Sequence, residues 1–276
     1  MTTELDGLLP SLEAAAREAG EAILRIARRG FDVDIKADCS PVTEADRAAE
    51  AIILDALSKA APCIPVIAEE EVAAGRIPAH GDEYFLVDPL DGTKEFARGG
   101  DDYTVNIGLI RAGLPVLGVI YTPACGRLHV GVVGKGGQVH DGSKWTALNV
   151  RPRGGEMCAV ASKSHLNQAT VDYLESAVGV CERISAGSSL KFCLVAEGAA
   201  DIYPRLSPTS EWDTAAGHAI LVAAGGRVDG PDGNALKYGK KAFLNRAFVA
   251  TSGWHAPVIA PFLEEFSGGG DLPQGV

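Results

Sequence analysis

The chain has 276 residues, 46% of them hydrophobic and 22% charged, and a formal net charge of −11. This composition suits a globular protein of one large domain or two modest ones, and 36 acids against 25 scattered bases exclude a surface for a DNA or RNA polymer. No run approaches the ~18 apolar residues of a membrane span, the acidic start lacks the bases and apolar stretch of a signal peptide, and six scattered cysteines form no Cys-x-x-Cys pair. The expected setting is therefore the cytoplasm, with reduced thiols.

Apolar residues at Leu5, Leu8, Leu12, Ala15, Ala19, Ala22, Ile23 and Ile26 follow helical spacing and predict a helix over 5–29, stopped by Gly30. The segment "SPVTEADRAAEAIILDALSKA" predicts a second helix, with Thr43 as its N-cap and Pro62 beyond its end. Both "IPVIAEEE" and "EYFLVDPLDG" read as short apolar strands that end in acids. From Tyr103 to Val139 the pattern predicts an antiparallel meander, with tight turns at Ala112–Pro115 and Pro123–Arg127. After "NVRPRGGE" strands and helices alternate: "MCAVAS", "CERISAG" and "ADIYPRL" as strands, "NQATVDYLESAV", "SLKFCLVAEGA" and "WDTAAGHAILVAAGG" as helices. Alternation at this pitch implies a layered α/β arrangement. It sets a boundary near residue 150, between an α+β half (1–150) and an α/β half (151–266), with a flexible tail at 267–276. No internal repeat of fixed period occurs.

The acids that need an explanation sit where strands stop: Glu69 and Glu70, then Asp88 and Asp91 around Pro89, and far downstream Asp213 at a helix start. Taken singly, each has an ordinary role as a turn or cap residue. Taken together, they are carboxylates delivered to strand ends, where α/β folds place ligands. Pro89 stiffens the loop between two of them, and Gly92 permits close backbone approach, with its N–H and that of Thr93 available to an anion. Two like charges ~4 Å apart at an effective dielectric of ~20 repel by ~4 kcal/mol. A hard divalent cation is the usual remedy, and oxygen-only ligands point to Mg²⁺ rather than zinc. Mg²⁺ beside an anion-binding loop suggests phosphoryl chemistry in which water attacks. The chain contains neither a Gly-x-Ser-x-Gly nucleophile motif nor a Walker A motif.

"DPLDGT" at 88–93, "AEEE" at 68–71 and "WDTAAG" at 212–217, preceded by "PVTEAD" at 41–46, together resemble the inositol monophosphatase superfamily of Mg²⁺-dependent, Li⁺-sensitive phosphatases. The likeness runs from about residue 8 to 265 and implies a layered αβαβα sandwich. Residues 187–221, and the Lys-Glu-Phe that follows "DPLDGT", are similar to the bacterial 3′(2′),5′-bisphosphate nucleotidases of the CysQ type. That likeness implies hydrolysis of the 3′-phosphate of adenosine 3′,5′-bisphosphate to AMP in sulfate assimilation, with the phosphosulfate PAPS as a further substrate. An inositol or sugar phosphatase on the same scaffold is the alternative, and a non-catalytic metal- or phosphate-binding protein is the reading from a different class.

The resemblance also assigns roles. Glu69, Asp88 and the Leu90 carbonyl would bind one Mg²⁺, and Asp88, Asp91 and Asp213 a second, with two or three ions in all and inhibition by Li⁺. Asp46 and Thr93 resemble the pair that orients and deprotonates the attacking water, with Glu69 part of the catalytic set. Ser162 and His165 in "ASKSH" match a segment that contacts the nucleotide. Gly187, Ser188 and Lys191 in "GSSLK" form a strand-to-helix turn suited to a phosphate, and Arg205 could grip the second phosphate in bidentate fashion. Gly92, Thr93 and Asp213 complete the substrate contacts. Phe192, Tyr203 and Trp212 are candidates to stack on adenine, though such aromatics more often fill cores. The implied partner is a small phosphorylated nucleotide, with no integral membrane association. A homodimer and a peripheral position at the inner membrane face both stay open.

Overall fold

In the computed structural model, residues 2–36, 41–164, 166–179 and 182–263 are described. Helix α1 (Thr2–Arg29) lies beside helix α2 (Glu44–Ala60). Leu12, Ala16, Ala19 and Ile23 of α1 share one core with Ala45, Ala49 and Ile53 of α2. Small residues at helical spacing let the two helices approach closely. Thr43 caps α2 as the sequence predicts. Its hydroxyl accepts from the Ala45 N–H at 3.1 Å, while Asp46 Oδ2 accepts from the Thr43 N–H at 2.7 Å, a capping box. Strands β1 (Val33–Ile35) and β2 (Pro41–Thr43) pair antiparallel just before it.

The larger sheet holds seven strands in chain order: β3 (Val66–Ala68), β4 (Glu83–Asp91), β5 (Thr104–Arg111), β6 (Leu114–Thr122), β7 (Arg127–Val132), β8 (Gly136–His140) and β9 (Trp145–Leu148). Only β3 and β4 are parallel; the rest form the expected meander. Strand alternation splits the residues cleanly. Phe85, Val87, Ile107 and Leu109 join the core with α1 and α2, whereas Tyr84, Leu86 and Ile110 belong to a second core on the opposite face. Two short helices, α3 (Glu69–Ala73) and α4 (Thr93–Ala97), follow β3 and β4.

The smaller sheet draws on β10 (Cys158–Ser162), β11 (Glu182–Ala186), β12 (Ile202–Arg205), β14 (Arg227–Asp229) and β16 (Phe248–Thr251), in the order β11-β10-β12-β16-β14. It is mixed, not wholly parallel, because β16 runs antiparallel to both β12 and β14. A two-strand pair, β13 (Thr209–Ser210) with β15 (Leu244–Asn245), lies apart from it. Helices α6 (Leu190–Ala196) and α7 (Trp212–Ala223) fill the space between the sheets, and α5 (Gln168–Asp172), continued by a π-helical turn over Tyr173–Val178, covers the far face through Tyr173 and Leu174. The layers run αβαβα, as expected.

Helix α7 sits unusually low on the larger sheet. Gly108, Gly118 and Gly131 occupy one row across β5, β6 and β7. A Cβ at Gly118 would come within 2.2 Å of the Ala216 carbonyl oxygen, and one at Gly131 within 2.6 Å of the Ile220 Cα. Only glycine admits the helix backbone at that distance, and the row fixes how deep the start of α7 lies. Among the described residues no helix is long and apolar enough to cross a membrane. Cys63, Cys125, Cys158 and Cys193 are free thiols. Cys39, Cys181 and the predicted tail at 267–276 lie outside the described residues.

Candidate active site

Strand β4 does not stop at Asp88. It continues through Pro89 to Asp91, pairing Asp88 with Asn106 and Asp91 with Thr104. Three steps on β4 oppose two on β5, so one extra residue forms a bulge. Pro89, which has no ladder donor, is tolerated at such a place. Residue pairing puts Asp88, Asp91, Thr104 and Asn106 on the face that looks toward α6 and α7. The Leu90 N–H then turns back and donates to Asp88 Oδ1 at 3.0 Å.

The acids after β3 open helix α3 instead of ending a strand. Glu69 lies at its start and accepts from Lys36 Nζ at 2.7 Å, while Glu70 accepts from the same ammonium at 2.6 Å. Glu71 faces away and pairs with Arg76. Asp213 is brought in by α7, one residue into the helix, with Oδ2 accepting from the Ser210 N–H at 3.1 Å and from the Thr209 hydroxyl. Asp91 Oδ2 accepts from Ser188 Oγ at 2.7 Å, Ser189 Oγ at 2.8 Å and, more distantly, Asn106 Nδ2 at 3.3 Å. In Asp88, Asp91 and Asp213 these named donors all engage a single carboxylate oxygen.

Glu69, Asp88, Asp91 and Asp213 line one cavity of about 240 Å³, together with Leu90 and Thr93. Their mutual repulsion is legible in their protonation. Burial first, and then the charges of Glu69, Asp91 and Asp213, hold the Asp88 carboxyl well above the usual range. Burial pushes Glu69 up to about 8; Lys36 opposes the rise and Asp213 adds to it. Asp213 rises to about 6 through burial and the charge of Asp91. A site that disfavours its own ionised acids this strongly suits a bound cation, and its donors are all oxygen. Among the described residues no three such side chains already form a closed metal cage, and Lys36 supplies local positive charge at Glu69.

Asp46 and Thr93 come together across 47 positions, with Thr93 Oγ1 2.9 Å from Asp46 Oδ1 and 3.0 Å from the Leu90 carbonyl. Asp46 is therefore both a helix-capping acid and a member of the cavity wall's hydrogen-bond chain. Burial raises its pKa, opposed by the bonds from Thr43 and Thr93, which makes it a better proton acceptor near neutrality than a solvated aspartate.

A family profile described as "Inositol monophosphatase family" matches residues 4–265. The chain belongs to the inositol monophosphatase family. Among its relatives, the 3′(2′),5′-bisphosphate nucleotidase CysQ of Salmonella typhimurium is 45% identical over 239 residues, covering 86% of this chain and 96% of that one. The protein of the same name from Escherichia coli K12 is 44% identical over 236 residues, covering 84% and 95%. A crystal structure of CysQ from Bacteroides thetaiotaomicron superposes with a TM-score of 0.75 at 38% identity, covering 88% of this chain and 96% of that one. An inositol monophosphatase from Anabaena gives 0.73 at 27% identity, covering 90% and 92%.

This family member places the remaining predicted residues unevenly. Ser162, Lys191 and Arg205 line the same cavity, where Lys191 feels the charges of Asp91 and Asp213 and Arg205 acts on Asp213. Lys191 is buried, its Nζ bonded back to the Ser188 carbonyl and lying 5.3 Å from the centre of the Tyr203 ring. Burial lowers its pKa to about 8. Arg205 donates to the Pro208 carbonyl at 3.1 Å. Gly187 lines the cavity, yet its N–H is bound to Asp102 Oδ2 at 2.8 Å, and the Ser188 hydroxyl engages Asp91. Both groups that the turn would offer a phosphate are thus used internally. Gly92 N-caps α4 in a left-handed conformation (φ 97°). Phe192, stacked on Phe248 with centroids 5.4 Å apart, Tyr203 and Trp212 are all buried and all line the cavity wall. His165 lies outside the described residues. Nothing in the linear sequence marks Lys36, Ser189 or Thr209 as neighbours of the carboxylates; Thr104 and Asn106 do leave a trace, as polar residues two apart in an apolar strand.

Proposed function

We propose that this protein is a Mg²⁺-dependent phosphomonoesterase that converts adenosine 3′,5′-bisphosphate to AMP and phosphate. The observation that carries the reading is the single cavity in which four mutually repelling carboxylates sit beside the Asp46–Thr93 pair. Glu69, Asp88 and the Leu90 carbonyl would hold one Mg²⁺, and Asp88, Asp91 and Asp213 another. When bound, such ions neutralise the phosphate oxygens.

The chain's own residues supply the proton chemistry. The Thr93 hydroxyl donates its proton to Asp46 Oδ1, leaving the Thr93 oxygen free to accept from a water molecule. As that water attacks phosphorus, its proton passes to Thr93 Oγ1 and the hydroxyl proton of Thr93 passes to Asp46. The P–O bond to the ribose 3′-oxygen breaks, that oxygen takes up a proton from solvent water, and Asp46 returns its proton to solvent. In the same cavity, Lys191 and Arg205 offer positive charge to the 5′-phosphate.

Identity of 44–45% with proteins called bisphosphate nucleotidases, against 27% with the Anabaena inositol monophosphatase, favours the nucleotide. The carboxylate end is indifferent to what carries the phosphate, so the test is a direct competition. Adenosine 3′,5′-bisphosphate is expected to be hydrolysed at least ~10-fold more efficiently than inositol 1-phosphate, a difference of ~1.4 kcal/mol in transition-state binding. The reverse preference overturns the assignment. We further place the enzyme in the cytoplasm, in sulfate assimilation, with sensitivity to Li⁺. We treat residues 1–150 and 151–266 as two halves of one catalytic unit.

A further inference from the structure

Between Thr104 and Ile110, strand β5 carries two fully buried polar side chains, Thr104 and Asn106. A buried carboxamide is costly unless its hydrogen bonds are made, and those of Asn106 are made toward one place. Thr104 Oγ1 lies 2.9 Å from Asn106 Oδ1, which orients the amide so that Nδ2 faces the cavity wall. Asn106 Nδ2 donates to Ser189 Oγ at 2.9 Å and reaches Asp91 Oδ2 only at 3.3 Å. Ser189 Oγ lies 2.8 Å from Asp91 Oδ2 and 2.8 Å from the Asp213 carbonyl. A serine hydroxyl has one proton and two lone pairs. With Asn106 filling a lone pair, the single Ser189 proton goes to Asp91 Oδ2, the charged and therefore stronger of the two acceptors. Ser188, held at φ 51°, lies 2.7 Å from Asp91 Oδ2 and 2.5 Å from Thr104 Oγ1, and with the Thr104 proton on Asn106 the single Ser188 proton serves one of these two contacts.

We infer that Asn106 is a positioning residue for Asp91: acting through Ser189, it fixes Asp91 Oδ2 in a web of donors so that Oδ1 is the oxygen presented to a cation. The inference rests on the cation-dependent reading above. It assigns work to a residue outside every motif quoted for the chain, and it couples a strand of the first half to a turn 83 positions later.

The test is Mn²⁺ binding measured by calorimetry without substrate, on the parent, Asn106→Leu, Ser189→Ala and the double variant, with thermal unfolding in chelator as the folding control. Each single variant is expected to lose ~10-fold or more in Mn²⁺ affinity. The double variant should lose no more than the worse single, because both act on one path. At saturating Mn²⁺ kcat should return toward the parent, which a merely structural defect would not allow. Unchanged affinity in folded Asn106→Leu, or losses that add, overturns the inference while leaving the proposed function standing. A parent that binds no Mn²⁺ overturns both. If Asn106→Leu does not fold, Asn106→Ser takes its place in the cycle with the same criteria.

Discussion

The substitution Asp91→Asn separates charge from shape at the centre of the site. Asp91 raises the pKa of both Asp88 and Asp213 by repulsion, and two such charges ~4 Å apart at an effective dielectric of ~20 are worth ~4 kcal/mol. In the cation-free protein, removing that charge relieves repulsion, so the fold is expected to hold or gain stability. Ser188 and Ser189 can rotate to accept from a carboxamide where they now donate. With cation, the same ~4 kcal/mol becomes lost attraction, and a deficit of that size at the transition state is ~10³-fold in rate. Phosphate release from adenosine 3′,5′-bisphosphate should therefore fall by ~10³-fold, while the melting temperature in chelator stays at or above that of the parent. The Mg²⁺-induced rise in melting temperature should shrink. Activity within ~10-fold of the parent, or a loss that tracks unfolding in chelator, would refute the reasoning.

Thr93→Ala removes the hydroxyl that bridges to Asp46, so kcat should drop by ~10²-fold or more with Mn²⁺ affinity unchanged; a parallel loss of Mn²⁺ binding would show that Thr93 serves the metal instead. Gly118→Ala sets a methyl against the Ala216 carbonyl beneath α7, and urea unfolding should show a loss of ~1–3 kcal/mol; a change under ~0.5 kcal/mol would mean that the helix has room to rise. Burial pushes the His218 imidazole down to about 3, against ~6.5 in an unfolded chain. Between those values the unfolded state binds more protons, so this contribution is whole above about pH 6.5 and is lost as pH falls toward 3. His218→Gln should flatten that acid limb, sparing the variant ~3 kcal/mol of the parent's loss by about pH 4.5; unfolding free energies from urea titrations that fall equally in parent and variant between about pH 6.5 and about pH 4.5 would contradict it.

Local grammar carried much of the fold. Thr43 before Glu44 and Asp46 is a capping box that any helix start would read the same way, and the structure uses it. The meander and the strand–helix alternation are likewise written in periodicity, and the acids Glu69, Asp91 and Asp213 stand at element ends, with Asp88 inside β4 just before its bulge. What stayed hidden depends on partners far away in the chain. The N–H of Gly187 looks available to a phosphate until Asp102, 85 positions earlier, is seen to accept from it. The Gly108, Gly118 and Gly131 row looks like three weak spots in strands until register aligns them under one helix. Asn106 is the instructive case, since its polarity within an apolar strand is visible in the sequence, but its reason is a serine 83 positions later.

The central claim is that carboxylates separated by as many as 144 positions, from Glu69 to Asp213, build one cation-filled site. Anomalous scattering from a crystal of the protein soaked in Mn²⁺ tests it most directly. Peaks are expected between Glu69 and Asp88 and between Asp91 and Asp213, within ~2.0–2.3 Å of their oxygens. Full occupancy elsewhere with nothing in this cavity, or no peak at Mn²⁺ concentrations that support full turnover, would contradict it.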